Sequence, residues 1–348
     1  DCLFRHCRVD LYSSRRANHR TRTEFPVTFN PKIELHLHLE GAAPPDFIRR
    51  LGGEKRVALD GIFDVDGSYK YKDFQGFLNV YEAATKVLET PEDFARLTQA
   101  VLEQSRDQGV IYTEIFLSPD FCGGRDLGAW HEYLAAIQEG ANSVQGIEMR
   151  GIITCIRHFG PDKARETARC AAETAGRFIT GFGMGGNETL GKAADFEWAF
   201  DCAAEAGLGL TSHAGEFGGP ESVRDTLDHL NVTRIGHGVR SIEDAALVRR
   251  LVEEQITLEV CPGSNVALGV YKNFAVHPIE KLMSDGVNVT VSTDDPPFFH
   301  TSMRDEYDAL QHNFGWGEDH FRALNQTAAR AAFCDDETRA ALLSKLEA

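Results

Sequence analysis

Several features that would assign a protein to a broad class are missing from this sequence. No apolar run approaches the ~18 residues that a membrane-spanning helix needs. The cysteines form no C-x-x-C pair and no compact framework, which excludes a small disulfide scaffold and favours reduced, buried thiols. The net charge is −17, so nucleic acid and anionic membrane surfaces are poor partners. The sequence therefore predicts a cytoplasmic protein with neither a nucleic-acid nor a membrane partner.

Residues 1–29 differ in composition from the rest of the chain. They show little apolar periodicity and a concentration of arginine, at Arg5, Arg8, Arg15, Arg16, Arg20 and Arg22. They contain no apolar stretch of the kind that a secretory signal requires. We therefore expect a basic, disordered leader without an assigned function. A single domain over residues 30–348 should follow, long enough to bury a large core.

Short apolar segments alternate with longer amphipathic segments after the leader. The predicted strands are Ile33–Gly41, Val110–Ser118, Met149–His158, Phe178–Gly186, Leu208–Glu216, Arg234–Val239, Thr257–Cys261 and Val287–Thr293. Segments that are nearly continuous in Val, Ile and Leu are typical of parallel strands buried on both faces. This alternation predicts an α/β fold, a (β/α)8 TIM barrel. A doubly wound open sheet is the alternative, but no glycine-rich phosphate loop follows the first strand.

The connection after the first predicted strand, residues 42–90, is longer than a normal loop. Within it, residues 73–88 place apolar side chains near helical spacing, at Phe74, Phe77, Leu78, Tyr81, Ala84 and Leu88. We expect a helical insertion after the first strand. Its aromatic face either covers an apolar, planar substrate as a lid or packs the insertion against the barrel.

Histidines and aspartates recur at the C-terminal ends of the predicted strands, where barrel enzymes place their active sites. His36 and His38 lie two residues apart in IELHLHLEG, so their side chains point to the same face of a strand. His213 follows an apolar run in LTSHAGE, and Asp294 follows another in VSTDDP. Three imidazoles and a carboxylate can hold a divalent metal ion that activates water near neutral pH. The pattern predicts a metal-dependent hydrolase.

Three further polar residues at the ends of predicted strands are left for proton chemistry: Glu216, His237 and Asp295. Other histidines lack such a pattern, and a lone histidine is more often a hydrogen-bonded structural residue than a ligand. We interpret the following as structural: His131, His229, His277, His300, His312 and His320.

The motifs PKIELHLHLEG, SHAGE, RIGHG, EVCPGSN and STDDP occur in the order and spacing of the adenosine deaminase family, a branch of the amidohydrolase superfamily. The chain resembles this family from about Pro31 to its C-terminus. The resemblance implies a (β/α)8 barrel, one zinc ion per chain, and hydrolytic removal of the 6-amino group from a purine. The expected partner is a small purine nucleoside. Zinc deaminases with cysteine ligands are excluded because the sequence has no P-C-x-x-C motif.

The resemblance also implies roles for individual residues. The zinc ligands would be His36, His38, His213 and Asp294. Glu216 resembles the acid that protonates the purine ring, and His237 the residue that orients the attacking water. Such an acid is chemically useful, because hydroxide attacks an aromatic carbon more readily when the adjacent ring nitrogen is protonated. His237 would act beside the metal as a base or as a positive charge.

The same resemblance implies the substrate contacts. Asp295 resembles the hydrogen-bonding partner of the ring nitrogen on the imidazole side, and Gly186 the glycine whose backbone N–H meets the opposite ring nitrogen. Asp294 is expected to take part in catalysis as well as in metal binding. The residues expected to contact the substrate are His38, Glu40, Gly186 and Asp295.

Two departures from the family pattern bear on the substrate. Glu40 stands where animal adenosine deaminases have an aspartate for the ribose 5′-hydroxyl. Glutamate occurs at this position in bacterial adenosine deaminases, but also in relatives that act on adenine or aminodeoxyfutalosine. GMGGNE replaces acidic residues of the usual run but keeps Gly186 and Glu188, which favours a nucleoside site. We therefore expect adenosine and 2′-deoxyadenosine as substrates. The alternatives are adenine or another adenosine derivative such as aminodeoxyfutalosine and, more remotely, a non-catalytic metal-binding or signalling protein.

Overall fold

The computed structural model describes residues 31–347, in which parallel strands form a barrel surrounded by helices. The strands are β1 Lys32–His38, β2 Val110–Leu117, β3 Glu148–Ile156, β4 Ile179–Gly185, β5 Gly209–Ala214, β6 Arg234–His237, β7 Thr257–Val260 and β8 Asn288–Val291. They follow one another around the sheet in chain order, and each pairs in parallel with the next. This arrangement confirms the predicted (β/α)8 barrel.

Helices connect the strands on the outside of the barrel. Those of the described residues are α1 Pro45–Lys55, α2 Phe74–Thr85, α3 Pro91–Asp107, α4 Leu127–Asn142, α5 Pro161–Thr174, α6 Glu197–Glu205, α7 Pro220–His229, α8 Ala245–Glu253, α9 Pro262–Ala267, α10 Ile279–Ser284, α11 Pro296–Phe299, α12 Met303–Phe314, α13 Glu318–Ala331 and α14 Asp336–Glu347. None of them is long and apolar enough to cross a membrane.

Helix α3 shows why these segments become helices packed on the barrel. Thr90 caps its N-terminus by accepting a hydrogen bond from the backbone N–H of Asp93, whose side chain accepts in return from Thr90, a capping box. Apolar residues then recur every three or four positions, and Phe94, Leu97 and Val101 are buried against the strands. The core thus lies between the barrel and its ring of helices.

The barrel closes where β1 meets the segment that follows β8. The backbone N–H of His38 donates to the carbonyl of Asp294 at 3.1 Å, and the N–H of Asp294 donates to the carbonyl of His36 at 3.1 Å. Asp294 adopts a φ of +65°, a left-handed conformation that non-glycine residues rarely take. Closure of the barrel therefore places an aspartate directly beside the two histidines of β1.

The observed strands end one to three residues before the predicted ones at their C-termini. The chain turns away from the barrel axis at these points, for example at Gly215 and Gly238, which have φ values of +71° and +66°. Glycine adopts this conformation without steric cost, and a Cβ at Gly215 would lie 2.5 Å from the side chain of Val223. The polar residues beyond each strand consequently lie on loops at one end of the barrel.

The insertion between β1 and α3 contains helices α1 and α2, as predicted. Asp73 caps α2 by accepting a hydrogen bond from the backbone N–H of Gly76. The helix lies across the C-terminal end of the barrel, since the ring of Phe74 is 4.6 Å from that of Phe217 in the loop after β5. The predicted leader of residues 1–29 lies outside the described residues.

Candidate active site

The predicted metal ligands meet at the C-terminal end of the barrel. His36 and His38 come from β1, His213 from β5, and Asp294 from the segment after β8. One donor atom of each residue lies within 4.8 Å of the donor atoms of the other three. The closest measured separations join Nε2 of His38 to Nε2 of His213, at 3.2 Å, and to Oδ1 of Asp294, at 3.3 Å.

Neighbouring groups hold these side chains through the atoms that do not face the common point. Nδ1 of His36 lies 2.7 Å from a carboxylate oxygen of Glu259, and Nδ1 of His213 lies 2.9 Å from the carbonyl oxygen of Met184. The hydroxyl of Ser264 donates to Oδ2 of Asp294 at 2.7 Å. These contacts leave Nε2 of His36, Nε2 of His213 and Oδ1 of Asp294 free to coordinate.

The resulting arrangement fits a divalent metal ion. Nε2 of His36 is buried and has no hydrogen-bond partner, which is costly unless a ligand completes its coordination. Three imidazole nitrogens and one carboxylate oxygen suit zinc and similar borderline ions. A histidine ligand held through its second nitrogen by a carboxylate or a carbonyl is a common feature of such sites.

Glu259 belongs to a buried charge network that runs from the metal ligands toward the opposite end of the barrel. Its second oxygen accepts a hydrogen bond from Nε of Arg234 at 2.6 Å. Arg234 also donates to Glu114 at 2.6 Å, and both its partners are fully buried. Burial raises the pKa of Glu259, but the positive charge of Arg234, together with hydrogen bonds to the carboxylate, outweighs this effect and lowers that pKa, so Glu259 remains ionised beside His36.

Glu216 lies in the loop after β5, beside the predicted metal site. Burial raises its pKa well above the usual range, and the nearby carboxylates of Asp294 and Glu188 raise it further. The side chain is therefore a carboxylic acid at neutral pH, as a proton donor to a substrate must be. Its Oε2 lies 3.7 Å from Nε2 of His237, at the end of β6.

Glu188 holds the loop that carries Glu216. Its carboxylate accepts hydrogen bonds from the backbone N–H groups of Glu216, Phe217 and Gly218, at 3.0, 2.8 and 3.0 Å, and contacts the N–H of Gly215. The carboxylate thus faces four successive amides of this loop. Because that role is the same for a base and for a nucleoside, Glu188 does not support the expected nucleoside site.

Glu40 and Asp295 bring two more buried carboxyl groups to the site. One oxygen of each, Oε1 of Glu40 and Oδ1 of Asp295, is buried without a hydrogen-bond partner. Burial raises the pKa of Glu40 to about 8 and that of Asp295 well above its usual range. Gly41 makes room for Asp295, since a Cβ at that position would lie 1.5 Å from its Oδ1.

Gly186 follows β4 and borders the site with a φ of +93°. A Cβ there would lie 2.8 Å from Nδ1 of His158, so the position has little room for a side chain. The backbone N–H of the next residue, Asn187, donates to the same nitrogen at 3.2 Å. The need for glycine at this position thus comes from its conformation and from packing against His158, and the hydrogen bond from its backbone N–H to a substrate stays a prediction.

A cavity of about 530 Å³ joins these residues, a size typical of small-molecule sites. Its polar wall contains the predicted site residues His38, Glu40, Gly186, His213, Glu216, His237, Asp294 and Asp295. Its apolar wall includes four of the predicted lid residues, Phe74, Phe77, Leu78 and Tyr81, together with Phe299. His36, buried beneath them, is the one predicted site residue that does not reach the cavity wall.

Comparison with known proteins agrees with this geometry. Residues 31–348 match the family model described as adenosine deaminase. The chain belongs to the adenosine deaminase family. This membership confirms the predicted family and the predicted class of enzyme, a hydrolase of a cyclic amidine C–N bond.

Within this family, the relatives at higher identity carry a narrower name. An adenine deaminase from Rhizobium leguminosarum bv. trifolii is 47% identical over 318 residues, which cover 90% of this chain and 98% of that protein. The crystal structure of an adenine deaminase from Arthrobacter aurescens is 32% identical, with a TM-score of 0.84, over 92% of this chain and 98% of that one. The crystal structure of an amidohydrolase from Burkholderia ambifaria with bound Zn is 25% identical, with a TM-score of 0.80, over 91% of this chain and 90% of that one.

Some residues of this adenosine deaminase family site escape prediction from the sequence. Ser264 and Asn265 lie in EVCPGSN, where two adjacent polar residues a few positions after the end of β7 were a usable signal of a site. His277 carries no local signal, although its Nε2 lies 3.2 Å from Oδ1 of Asn265. Asn265 in turn contacts both Glu216 and His237. Such roles depend on contacts between separate β–α units.

Proposed function

We propose that this protein hydrolyses adenine to hypoxanthine and ammonia. The observation that carries the proposal is the set of relatives at 45–47% identity, matched over nearly their whole length, that are named adenine deaminase. This substrate is the alternative that the sequence leaves open. The expected preference for adenosine and 2′-deoxyadenosine is not supported by these relatives.

The carboxyl groups of the cavity are consistent with a free base. The buried oxygens of Glu40 and Asp295 need hydrogen-bond donors, because an unpaired polar atom in a closed site costs about 1–3 kcal/mol. Adenine offers an imidazole N–H in addition to its amino group, whereas the sugar replaces that N–H in adenosine. We assign the imidazole edge of adenine to this pair of carboxyl groups.

The metal site would supply the nucleophile. His36, His38, His213 and Asp294 would hold one zinc ion, a choice that their nitrogen and oxygen donors favour. When bound, the ion activates water for attack near neutral pH. His38 and Asp294 also line the cavity, so the attacked carbon would lie next to the ligands.

The protein's own groups would assist the attack on the ring. Glu216, which burial keeps protonated, would donate its proton to the ring nitrogen next to the attacked carbon. This protonation relieves the loss of aromatic conjugation when oxygen adds to the ring. Helix α2 would cover the flat faces of the base with Phe74, Phe77 and Tyr81 and exclude bulk water.

A parallel substrate panel tests the proposal. Initial rates with adenine, adenosine, 2′-deoxyadenosine and aminodeoxyfutalosine give kcat/KM for each. We expect adenine to exceed the nucleosides by about 10²-fold or more, because a site that pairs with a polar group discriminates strongly against an analogue that lacks it. A higher kcat/KM for adenosine than for adenine would contradict the proposal and support the nucleoside as the substrate. Turnover of none of the four would remove the proposed substrate class.

A further inference from the structure

His277 lies between the active site and helix α10, and one backbone amide determines which of its nitrogens carries a proton. The backbone N–H of Ile279 donates to Nδ1 of His277 at 3.3 Å. A backbone N–H can only donate, so Nδ1 must accept. Burial and, to a smaller extent, the nearby His237 lower the pKa of His277 to about 3, so the ring is neutral. Its single proton is consequently on Nε2.

The position of this proton determines how the side-chain amide of Asn265 is oriented. Nε2 of His277 lies 3.2 Å from Oδ1 of Asn265, which accepts the hydrogen bond. The amide oxygen and nitrogen of an asparagine are otherwise interchangeable in shape, and only the partners distinguish them. Because His277 donates, the NH2 group of Asn265 must face the opposite direction, into the active site.

Asn265 presents its two N–H donors to two reactive side chains. Nδ2 lies 3.4 Å from Oε1 of Glu216 and 3.3 Å from Nδ1 of His237. Both acceptors are buried, and Asn265 itself is almost completely buried. An amide nitrogen has two hydrogens, so it can donate to both at once.

The consequence for His237 follows directly. Its Nδ1 faces the NH2 group of Asn265, which can only donate, so Nδ1 accepts and the proton of the ring is on Nε2. That nitrogen lies 3.7 Å from Oε2 of Glu216 and 3.9 Å from Oδ2 of Asp294. His237 therefore points an N–H donor at the reaction centre, instead of the base or positive charge that the sequence suggests.

We infer that His277 and Asn265 are positioning residues that hold His237 as the Nε2–H tautomer and leave Oε2 of Glu216 to carry the acidic proton. The hydrogen bonds form a chain in which the Ile279 amide fixes the proton of His277, His277 orients Asn265, and Asn265 donates to His237 and Glu216. His237 then orients an attacking oxygen by donating to it, while Glu216 donates to the ring. Only the effect on turnover rests on the proposed function, since the tautomers exist without substrate.

The tautomer can be measured directly. Long-range proton–nitrogen NMR correlation of the uniformly labelled protein reports which ring nitrogen of each histidine is protonated. The signals of His237 and His277 are identified by their loss in the His237→Gln and His277→Gln variants. We expect Nε2–H for both rings in the unmodified protein without substrate. A proton on Nδ1 of His237 would overturn the inference, whatever any variant does.

Turnover of matched variants tests the positioning role. His277→Gln keeps an N–H donor near Nε2, whereas His277→Leu removes it. We expect the Leu variant to lose about 10- to 100-fold in kcat with a smaller change in KM, since small misplacement of a catalytic group has effects of this size. The Gln variant should recover most of that loss. Equal damage in both variants, at unchanged metal content, would show that His277 acts only by packing and would refute the inference.

Asn265→Asp provides the complementary test. The substitution replaces the NH2 donor by a carboxylate oxygen, which can accept a hydrogen bond from Nδ1–H of His237 but places an acceptor against Oε1 of Glu216. We expect His237 to change to the Nδ1–H tautomer and kcat to fall by at least about 10²-fold. His312→Gln, on the exposed face of α12, is the control and should change neither. Unchanged turnover in Asn265→Asp would contradict the inference.

The kinetic assays use whichever of adenine and adenosine the unmodified protein converts faster, so a wrong substrate assignment leaves this test intact.

Discussion

The carboxylate of Glu188 accepts a hydrogen bond at 3.0 Å from the backbone N–H of Glu216, the proposed proton donor. The two residues belong to different β–α units, after β4 and β5. Arg157 anchors the Glu188 loop from the other side, donating from Nε to the carbonyl of Leu190 at 2.7 Å. The position of Glu216 thus depends on Glu188, which is not among the described residues that line the cavity.

Glu188→Gln should weaken the hydrogen bonds that hold the Glu216 loop. The amide loses the negative charge and brings N–H groups against the backbone donors of the loop, so we expect the free energy of unfolding to fall by about 1–3 kcal/mol. Misplacement of Glu216 should lower kcat by about 10- to 100-fold with little loss of metal. Steady-state kinetics and chemical denaturation measure both effects. Ser222→Ala, which removes a single hydroxyl contact to Glu188 at 2.5 Å, is the control and should cost much less. Near-normal kcat in Glu188→Gln would show that the loop does not need this carboxylate.

Glu216→Gln tests the proton donor itself. The amide keeps the shape and can still accept from Asn265, but it cannot protonate a ring nitrogen. We expect kcat to fall at least about 10²-fold while the bound metal is retained. Metal analysis alongside single-substrate kinetics separates the two effects. A Gln variant with ordinary turnover would remove Glu216 from the mechanism.

The sequence predicts those parts of this site that have a local signature. His36 and His38 share a strand face because they are two residues apart, and the barrel follows from the alternation of apolar and amphipathic segments. These features depend on periodicity within one element, which a single sequence displays. The helical insertion was predictable for the same reason, from the spacing of Phe74, Phe77 and Tyr81.

The contacts between elements are not visible in the sequence. Asn265, His277 and Glu188 act through partners in other loops, and nothing in their own neighbours indicates which atom they will face. Glu188 is an example of a residue whose role was misjudged for this reason. In the sequence its presence favours a nucleoside site, whereas in the structure its carboxylate accepts hydrogen bonds from backbone amides. Gly41 was equally hidden, since only the packed structure shows that Asp295 occupies the space of its missing side chain.

The contact between Glu259 and His36 should control metal affinity. Glu259→Gln removes the negative charge that polarises the imidazole, so we expect the dissociation constant of the metal to rise about 10- to 100-fold. Competition with a chromophoric chelator measures this without any assay of activity. The variant also leaves Arg234 with one carboxylate partner fewer, so its unfolding should be followed in parallel. An unchanged metal affinity would show that the contact is only structural.

The burial of His277 predicts how the free energy of unfolding depends on pH. Its pKa is about 3 in the folded protein, against about 6.5 when exposed, so below about pH 6.5 only the unfolded state binds this proton. Its contribution to stability is present above that pH and is lost as the pH falls toward 3, by about 1.4 kcal/mol per pH unit. His277→Gln lacks this titration. Between about pH 7.5 and about pH 5.5 it should therefore lose about 1.4 kcal/mol less of its unfolding free energy than the unmodified protein. Equal losses in the two proteins would mean that His277 is not buried as a neutral ring.

Direct competition between adenine and adenosine tests the central assignment. An equimolar mixture is incubated with the metal-loaded protein, and hypoxanthine and inosine are separated by chromatography while both substrates are still in excess. The ratio of the two initial rates equals the ratio of kcat/KM values, free of differences in enzyme concentration or metal loading. We expect hypoxanthine to form at least about 10²-fold faster than inosine. Inosine as the main product would contradict the adenine assignment.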